Sequence, residues 1–141
     1  MRQRNHGYYK KIDFVFYNEN AIRQAIEDER SDCGYTAGRN GSGVGDPTAS
    51  TAIKHMTPIR LVHFGTFELE WPEHWLDVIE RTRRWAPTDT MIVGVDFYAN
   101  TPRDITMAKL TISKTTYYRL LDAFVEHAAL IAIQLGLIKI F

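Results

Sequence analysis

Arg103-Asp104-Ile105-Thr106-Met107-Ala108-Lys109-Leu110-Thr111-Ile112-Ser113-Lys114-Thr115-Thr116-Tyr117-Tyr118-Arg119 carries the strongest structural signal in the chain. Asn100-Thr101-Pro102 ahead of it breaks any preceding helix, since a residue before proline is pushed out of the helical region. Arg103 to Leu110 reads as a short helix and Thr111-Ile112 as a tight turn. Ser113 is an N-cap whose hydroxyl can accept from an orphan N–H at the head of a long second helix. Two helices joined by so short a turn must cross. Met107, Leu110, Ile112, Tyr117, Leu120 and Phe124 then fall on the inner side, and Lys114, Thr115, Tyr118, Arg119 and Asp122 on the outer one.

That arrangement is a helix-turn-helix, and its outer residues suit double-stranded DNA. Lys and Arg can meet phosphates or guanine edges, and Thr can contact a thymine methyl, when the head of the second helix enters the major groove. Lys109-Leu110-Thr111-Ile112-Ser113-Lys114-Thr115-Thr116-Tyr117-Tyr118-Arg119 resembles the helix-turn-helix of phage-encoded transcriptional regulators of the ArpU/RinA group. Three further segments resemble the same group. They are Asp46-Pro47-Thr48-Ala49, Trp71-Pro72-Glu73-His74-Trp75-Leu76-Asp77-Val78-Ile79-Glu80, and the ending from Ala128-Ala129 to Gly136-Leu137-Ile138-Lys139. The resemblance implies a sigma-region-4-like activator of phage or prophage late or packaging genes, with host RNA polymerase as a further partner. Position by position it implies DNA contact by Ser113, Lys114, Thr115, Tyr118 and Arg119. Arg103 and Lys109 complete the candidate set from the basic run around them. The chain departs from the group's pattern at Thr111, where many such turns carry Gly or Asn, and at Thr106-Met107, where an apolar residue followed by Ala is common.

Working outward, Asp89 to Tyr98 reads as a helix with Ile92, Val93, Val95 and Phe97 giving a broad apolar surface. Trp71-Pro72-Glu73 opens another that runs to about Trp85, with Trp75, Leu76, Ile79 and Thr82 or Arg83 on one face and Pro87 closing it. Ile59, Leu61 and His63, then Phe67, Leu69 and Trp71, alternate across Gly65-Thr66, the pattern of a β-hairpin. Asp46-Pro47 starts a short helix to about Met56. Gly34 to Gly45 holds five glycines and reads as a loop. Asp13 to Arg30 reads as one helix with Phe14, Tyr17, Ala21, Ile22, Ala25 and Ile26 on its apolar side and an acidic outer face. The fold class is therefore mainly α. A helical region at 1–100 contains the Gly-rich loop (34–45) and the hairpin (about 59–70), and the helix-turn-helix region spans 101–141.

A chain of 141 residues, 45% hydrophobic and 12% aromatic, can bury a core of its own. Seventeen basic and seventeen acidic residues cancel, so a basic surface must come from distribution. Met1 to Lys11 and Arg103 to Arg119 are the basic stretches. The single Cys33 excludes an internal disulfide and suits a reducing compartment. No signal-peptide pattern or membrane span is read, so the cytoplasm is the expected location, and the resemblance implies that of a bacterial host cell.

The competing chemistries are weaker. His55, His63, His74 and His127 lack ligand spacing, so no metal is expected. The glycine run lacks a Gly-Lys-Ser/Thr ending, so no nucleotide cofactor is expected. Glu73 and Asp77 are explained by the dipole of a helix start better than by catalysis, and no catalytic residues or enzyme activity are expected. Arg81, Arg83 and Arg84 read as a solvated face more readily than as a phosphate clamp. The apolar tail Ala128 to Leu137 must be covered, either within the molecule or by a second copy in a homodimer. The alternative to DNA reading is a non-catalytic protein-interaction module, such as an RNA polymerase adaptor or a phage packaging component.

Overall fold

Prolines and hydroxyl caps set the helix starts, and left-handed residues set several of the ends. In the computed structural model, which describes residues 7–39 and 57–139, the order is α1 (Gly7–Tyr17), α2 (Glu19–Arg39), β1 (Leu61–Phe64), β2 (Phe67–Glu70), α3 (Pro72–Trp85), α4 (Thr88–Tyr98), α5 (Arg103–Leu110) and α6 (Lys114–Gln134). The architecture is mainly helical with one small antiparallel hairpin. The chain divides into two compact units, Met1–Asn18 with His74–Phe141, and Glu19–Glu73.

In the Glu19–Glu73 unit, β1 and β2 pair from Leu61 opposite Glu70 to Phe64 opposite Phe67. Gly65, at φ +61°, supplies the positive φ that a two-residue hairpin turn needs at its first position. Helix α2 packs against β1, and Ile22, Ala25, Ile26, Val62 and Leu69 are buried. Glu73 links this unit's parts. Its Oε1 accepts from Arg30 Nη2 at 2.6 Å and from the Ile59 N–H at 3.1 Å. A single carboxylate thus ties α2 to the segment leading into the hairpin, a partnership in addition to the helix-start role read from its position.

The other unit centres on α6. Helix α4 makes its most extensive packing with α6, and α1 packs on both. Val15, Phe16, Val93, Tyr98, Phe124, Val125, Ala128 and Ala132 are buried there. Gly94 faces Phe124 directly: a Cβ at this position would overlap the Phe124 ring at Cγ. The Phe124 ring occupies the space a side chain would take. Phe16 stacks on Tyr98 at 4.9 Å and meets Phe124 edge-on at 5.3 Å, and the Tyr98 hydroxyl donates to Asp13 Oδ1 at 2.5 Å.

Three helices of this unit end in the same way, with two backbone bonds closing on the last turn and a left-handed residue after it. Asn100 (φ 61°) closes α4, with Thr101 N–H donating to Asp96 O at 2.9 Å. Thr111 (φ 54°) closes α5, with Ile112 N–H donating to Met107 O at 3.1 Å. Gly136 (φ 75°) closes α6, with Leu137 N–H donating to Ala132 O at 2.9 Å.

Two sequence expectations need correction. The single helix read over Asp13 to Arg30 is two helices parted at Asn18, whose backbone N–H and side-chain Nδ2 both donate to Phe14 O. In consequence Ile12, Val15 and Phe16 are the buried residues of α1, while Phe14 is half-buried and Tyr17 exposed. The glycine run does not begin a loop at Gly34, because α2 continues through Gly34 and Gly38 to Arg39. Helix propagation adds a hydrogen bond per residue, and that outweighs the roughly 1 kcal/mol each glycine costs. The rest of that loop, the helix read over Asp46 to Met56, and Arg2 and Arg4 lie outside the described residues.

Candidate nucleic-acid interface

Helices α5 and α6 are joined by Thr111, Ile112 and Ser113, and the elements around that turn are locked from inside. Val93, Tyr117 and Leu121 form a buried cluster, with Phe97, Met107, Leu110, Ile112 and Leu120 packed against it. Residues of α4, α5, the turn and α6 therefore share one apolar centre. Of the six residues expected on the inner side, five belong to this cluster, and Phe124 is fully buried one turn further along α6.

A polar bridge adds to the apolar lock. Asp96, on α4, accepts at Oδ2 from the buried Thr106 hydroxyl and from Lys109 Nζ, both at 2.9 Å. Both donors sit on α5. Asp96 is the only acid among the apolar residues 91–98 of α4, which is the sequence signal that it has a partner. Its role was not legible further than that, because the partners lie ten and thirteen residues on. Lys109 is in this way committed to an ion pair with Asp96, which reduces its standing as a DNA contact.

Ser113 caps α6. Its Oγ accepts from the Thr116 N–H at 3.2 Å, and the two hydroxyl groups are 3.1 Å apart. Beyond the cap, Lys114, Thr115, Tyr118 and Arg119 are exposed on the first two turns. Lys114 and Arg119 form no hydrogen bond or ion pair within the described residues. The first turn of α6 carries no acid. Helices ordinarily favour acids there, because the macrodipole places about half a positive charge at the N-terminus. Lys114 instead adds its charge to that end, so the local field is positive.

The charge then reverses along the same helix. Asp122, half-buried, and Glu126, exposed, follow Arg119 within two turns. From Lys114 to Arg119 the helix rises roughly 7.5 Å, which fits within the roughly 12 Å width of the B-DNA major groove. A polyanion can approach the head of α6 and is repelled further along.

Arg103, at the start of α5, reaches the same face. Its Nη1 donates to the Tyr118 hydroxyl at 2.9 Å, its guanidinium carbon lies 5.8 Å from the Tyr118 ring centre, and Asp104 Oδ1 is 3.7 Å from its Nε. The hydrogen bond to Tyr118 holds its pKa above the ordinary value. Burial likewise raises the Tyr117 phenol on the inner side of α6. The seven sequence-predicted residues thus separate by environment. Lys114, Thr115 and Arg119 are exposed on the head of α6, Ser113 caps it, Arg103 and Tyr118 are paired, and Lys109 is held by Asp96.

Elsewhere in the chain the other candidates find ordinary roles. Arg81 pairs with Asp77 one helical turn away, and His63 lies 3.5 Å from Glu68 across the hairpin. Among the described residues no group of three or more His, Cys, Asp or Glu could hold a metal ion, and no helix is long and apolar enough to cross a membrane. No protein-family model, curated protein or solved structure matches the chain.

Proposed function

We propose that this protein is a sequence-specific reader of double-stranded DNA that enters the major groove with the first two turns of α6. The observation that carries the reading is the pairing of environments on one helix: Tyr117 and Leu121 are buried against α4, while Lys114, Thr115 and Arg119 stand exposed on the opposite side of the same turns. A helix held this firmly from behind presents its outer side chains with little loss of entropy on binding. Thr115 is the contact for a thymine methyl or base edge, Arg119 for guanine or a phosphate, and Lys114 for a phosphate. Ser113 supports them by capping the helix.

The resemblance to the ArpU/RinA group extends this proposal to a phage or prophage transcriptional activator acting in the bacterial cytoplasm, with host RNA polymerase as its partner. Leu130, 59% exposed on the C-terminal half of α6, is the residue through which a homodimer on two half-sites would be tested.

The experiment is fluorescence anisotropy of the purified protein with fragments tiling its own phage or prophage region, in a salt series, with Arg119→Ala in parallel. One fragment bound far more tightly than the rest, with loss of about 1–3 kcal/mol in the variant, is the expected outcome. Weak binding that is uniform and indifferent to Arg119 overturns the reading and leaves a protein-interaction module in its place.

A further inference from the structure

Arg103 and Tyr118 carry a consequence that does not follow from exposure alone. They lie on different helices, Arg103 at the first residue of α5 and Tyr118 on the second turn of α6, and they are joined by the 2.9 Å hydrogen bond from Nη1 to the phenol oxygen. The guanidinium is the donor in that bond, so the phenol keeps its own proton to give away. Nη2 of the guanidinium also keeps its donors, and the Arg103 side chain is 37% exposed and that of Tyr118 is exposed. The pair therefore carries one positive charge and N–H and O–H donors beyond those it uses internally, on a partly exposed surface. Asp104 offsets part of that charge from 3.7 Å, on the Nε side. The acceptor that matches such a pair is anionic with two oxygens close together.

We infer that Arg103 and Tyr118 form one phosphate-binding unit that grips the DNA backbone beside the groove entered by α6, an assignment that rests on the DNA-reading proposal above. The backbone is the expected source of the anion because the first helix of such a pair crosses the strand while the second enters the groove. Binding to a backbone phosphate carries no sequence information. The unit sets where and how deeply α6 sits, and leaves base selection to Thr115 and Arg119. Tyr118 is thus a backbone contact organised by Arg103, although it stands on the reading helix.

The test uses the full chain with its tightest fragment and with an unrelated fragment, from roughly 50 to 200 mM salt, in wild type, Arg103→Ala, Tyr118→Phe, the double variant and Arg119→Ala. Tyr118→Phe keeps the ring and its packing, and thermal melting checks that each variant folds. The expected result is a loss of about tenfold for each single variant on both fragments, with the preference between fragments unchanged. The double variant is expected to lose much less than the product of the two. The salt slope becomes shallower by about 0.9 for Arg103→Ala and is unchanged for Tyr118→Phe. Losses confined to the preferred fragment overturn the assignment in favour of base contact. A neutral Tyr118→Phe, or losses that multiply in full, overturns the idea of a unit. Binding that depends on Arg119 but not on Arg103 rejects this unit while sparing the reading helix, whereas no DNA binding by the wild type rejects both.

Discussion

The two halves of α6 belong to one continuous helix and are held in different ways. From Phe124 onward the helix is pressed close to its neighbours through small residues, with Ala128, Ala129 and Ala132 buried and Phe124 lying over Gly94. Before Phe124, larger side chains fill one side, Tyr117 and Leu121, and polar groups occupy the other. Close packing of the C-terminal half sets the position of the axis. The N-terminal half then leaves Lys114, Thr115 and Arg119 exposed, because it is not packed on all sides.

The contrast can be attacked most strongly at Gly94. Gly94→Ala introduces a Cβ into the fully buried Phe124 ring, and the overpacking should outweigh the gain in helix propensity, for a net loss of about 2 kcal/mol in denaturant unfolding. On the DNA-reading proposal, a loss this large should weaken fragment binding as well, because the head of α6 depends on the packing behind it. Unchanged stability would mean that α4 and α6 can slide, and the C-terminal half would no longer count as the anchor. Asp96→Ala should cost about 2 kcal/mol, because the buried Thr106 hydroxyl loses its acceptor and Lys109 its partner. Adding Lys109→Met to that variant should change stability little further if Thr106 is the part that matters.

Ser113→Ala acts on the N-terminal half alone. Loss of the cap on the Thr116 N–H should cost about 1 kcal/mol in thermal or urea unfolding, with the larger change in hydrogen exchange confined to the first turn of α6. Uniform loosening of the whole helix would erase the distinction between the halves. Thr111→Gly has the opposite sign and the smallest size. A β-branched residue at φ 54° is strained, and glycine relieves that at some cost in backbone entropy, for a net gain of about 0.5 kcal/mol in the same unfolding measurement.

Much of the fold was legible because its signals are local. Pro72 and Ser113 mark helix starts, Gly65-Thr66 marks the hairpin turn, and the spacing of Met107, Leu110, Ile112, Tyr117 and Leu120 marks the inner side of α5 and α6. Misreadings arose where local signals point both ways. Phe14 and Tyr17 have helical spacing with Ala21 and Ala25, but the break at Asn18 shifts the face that is buried to Ile12, Val15 and Phe16. Gly34 and Gly38 disfavour a helix individually, yet lie in one already nucleated upstream.

The helical class, the hairpin, the cap at Ser113 and the side of α6 that carries Lys114, Thr115 and Arg119 are all written locally, since each follows from residue spacing or from a single residue's backbone preference. Packing between helices, by contrast, is what pairs Lys109 with Asp96, joins Arg103 to Tyr118 and sets Gly94 against Phe124. Those three relations connect positions thirteen, fifteen and thirty residues apart. Distance along the chain says nothing about contact at that range; the packing of α4, α5 and α6 around Val93, Tyr117 and Leu121 brings the partners together.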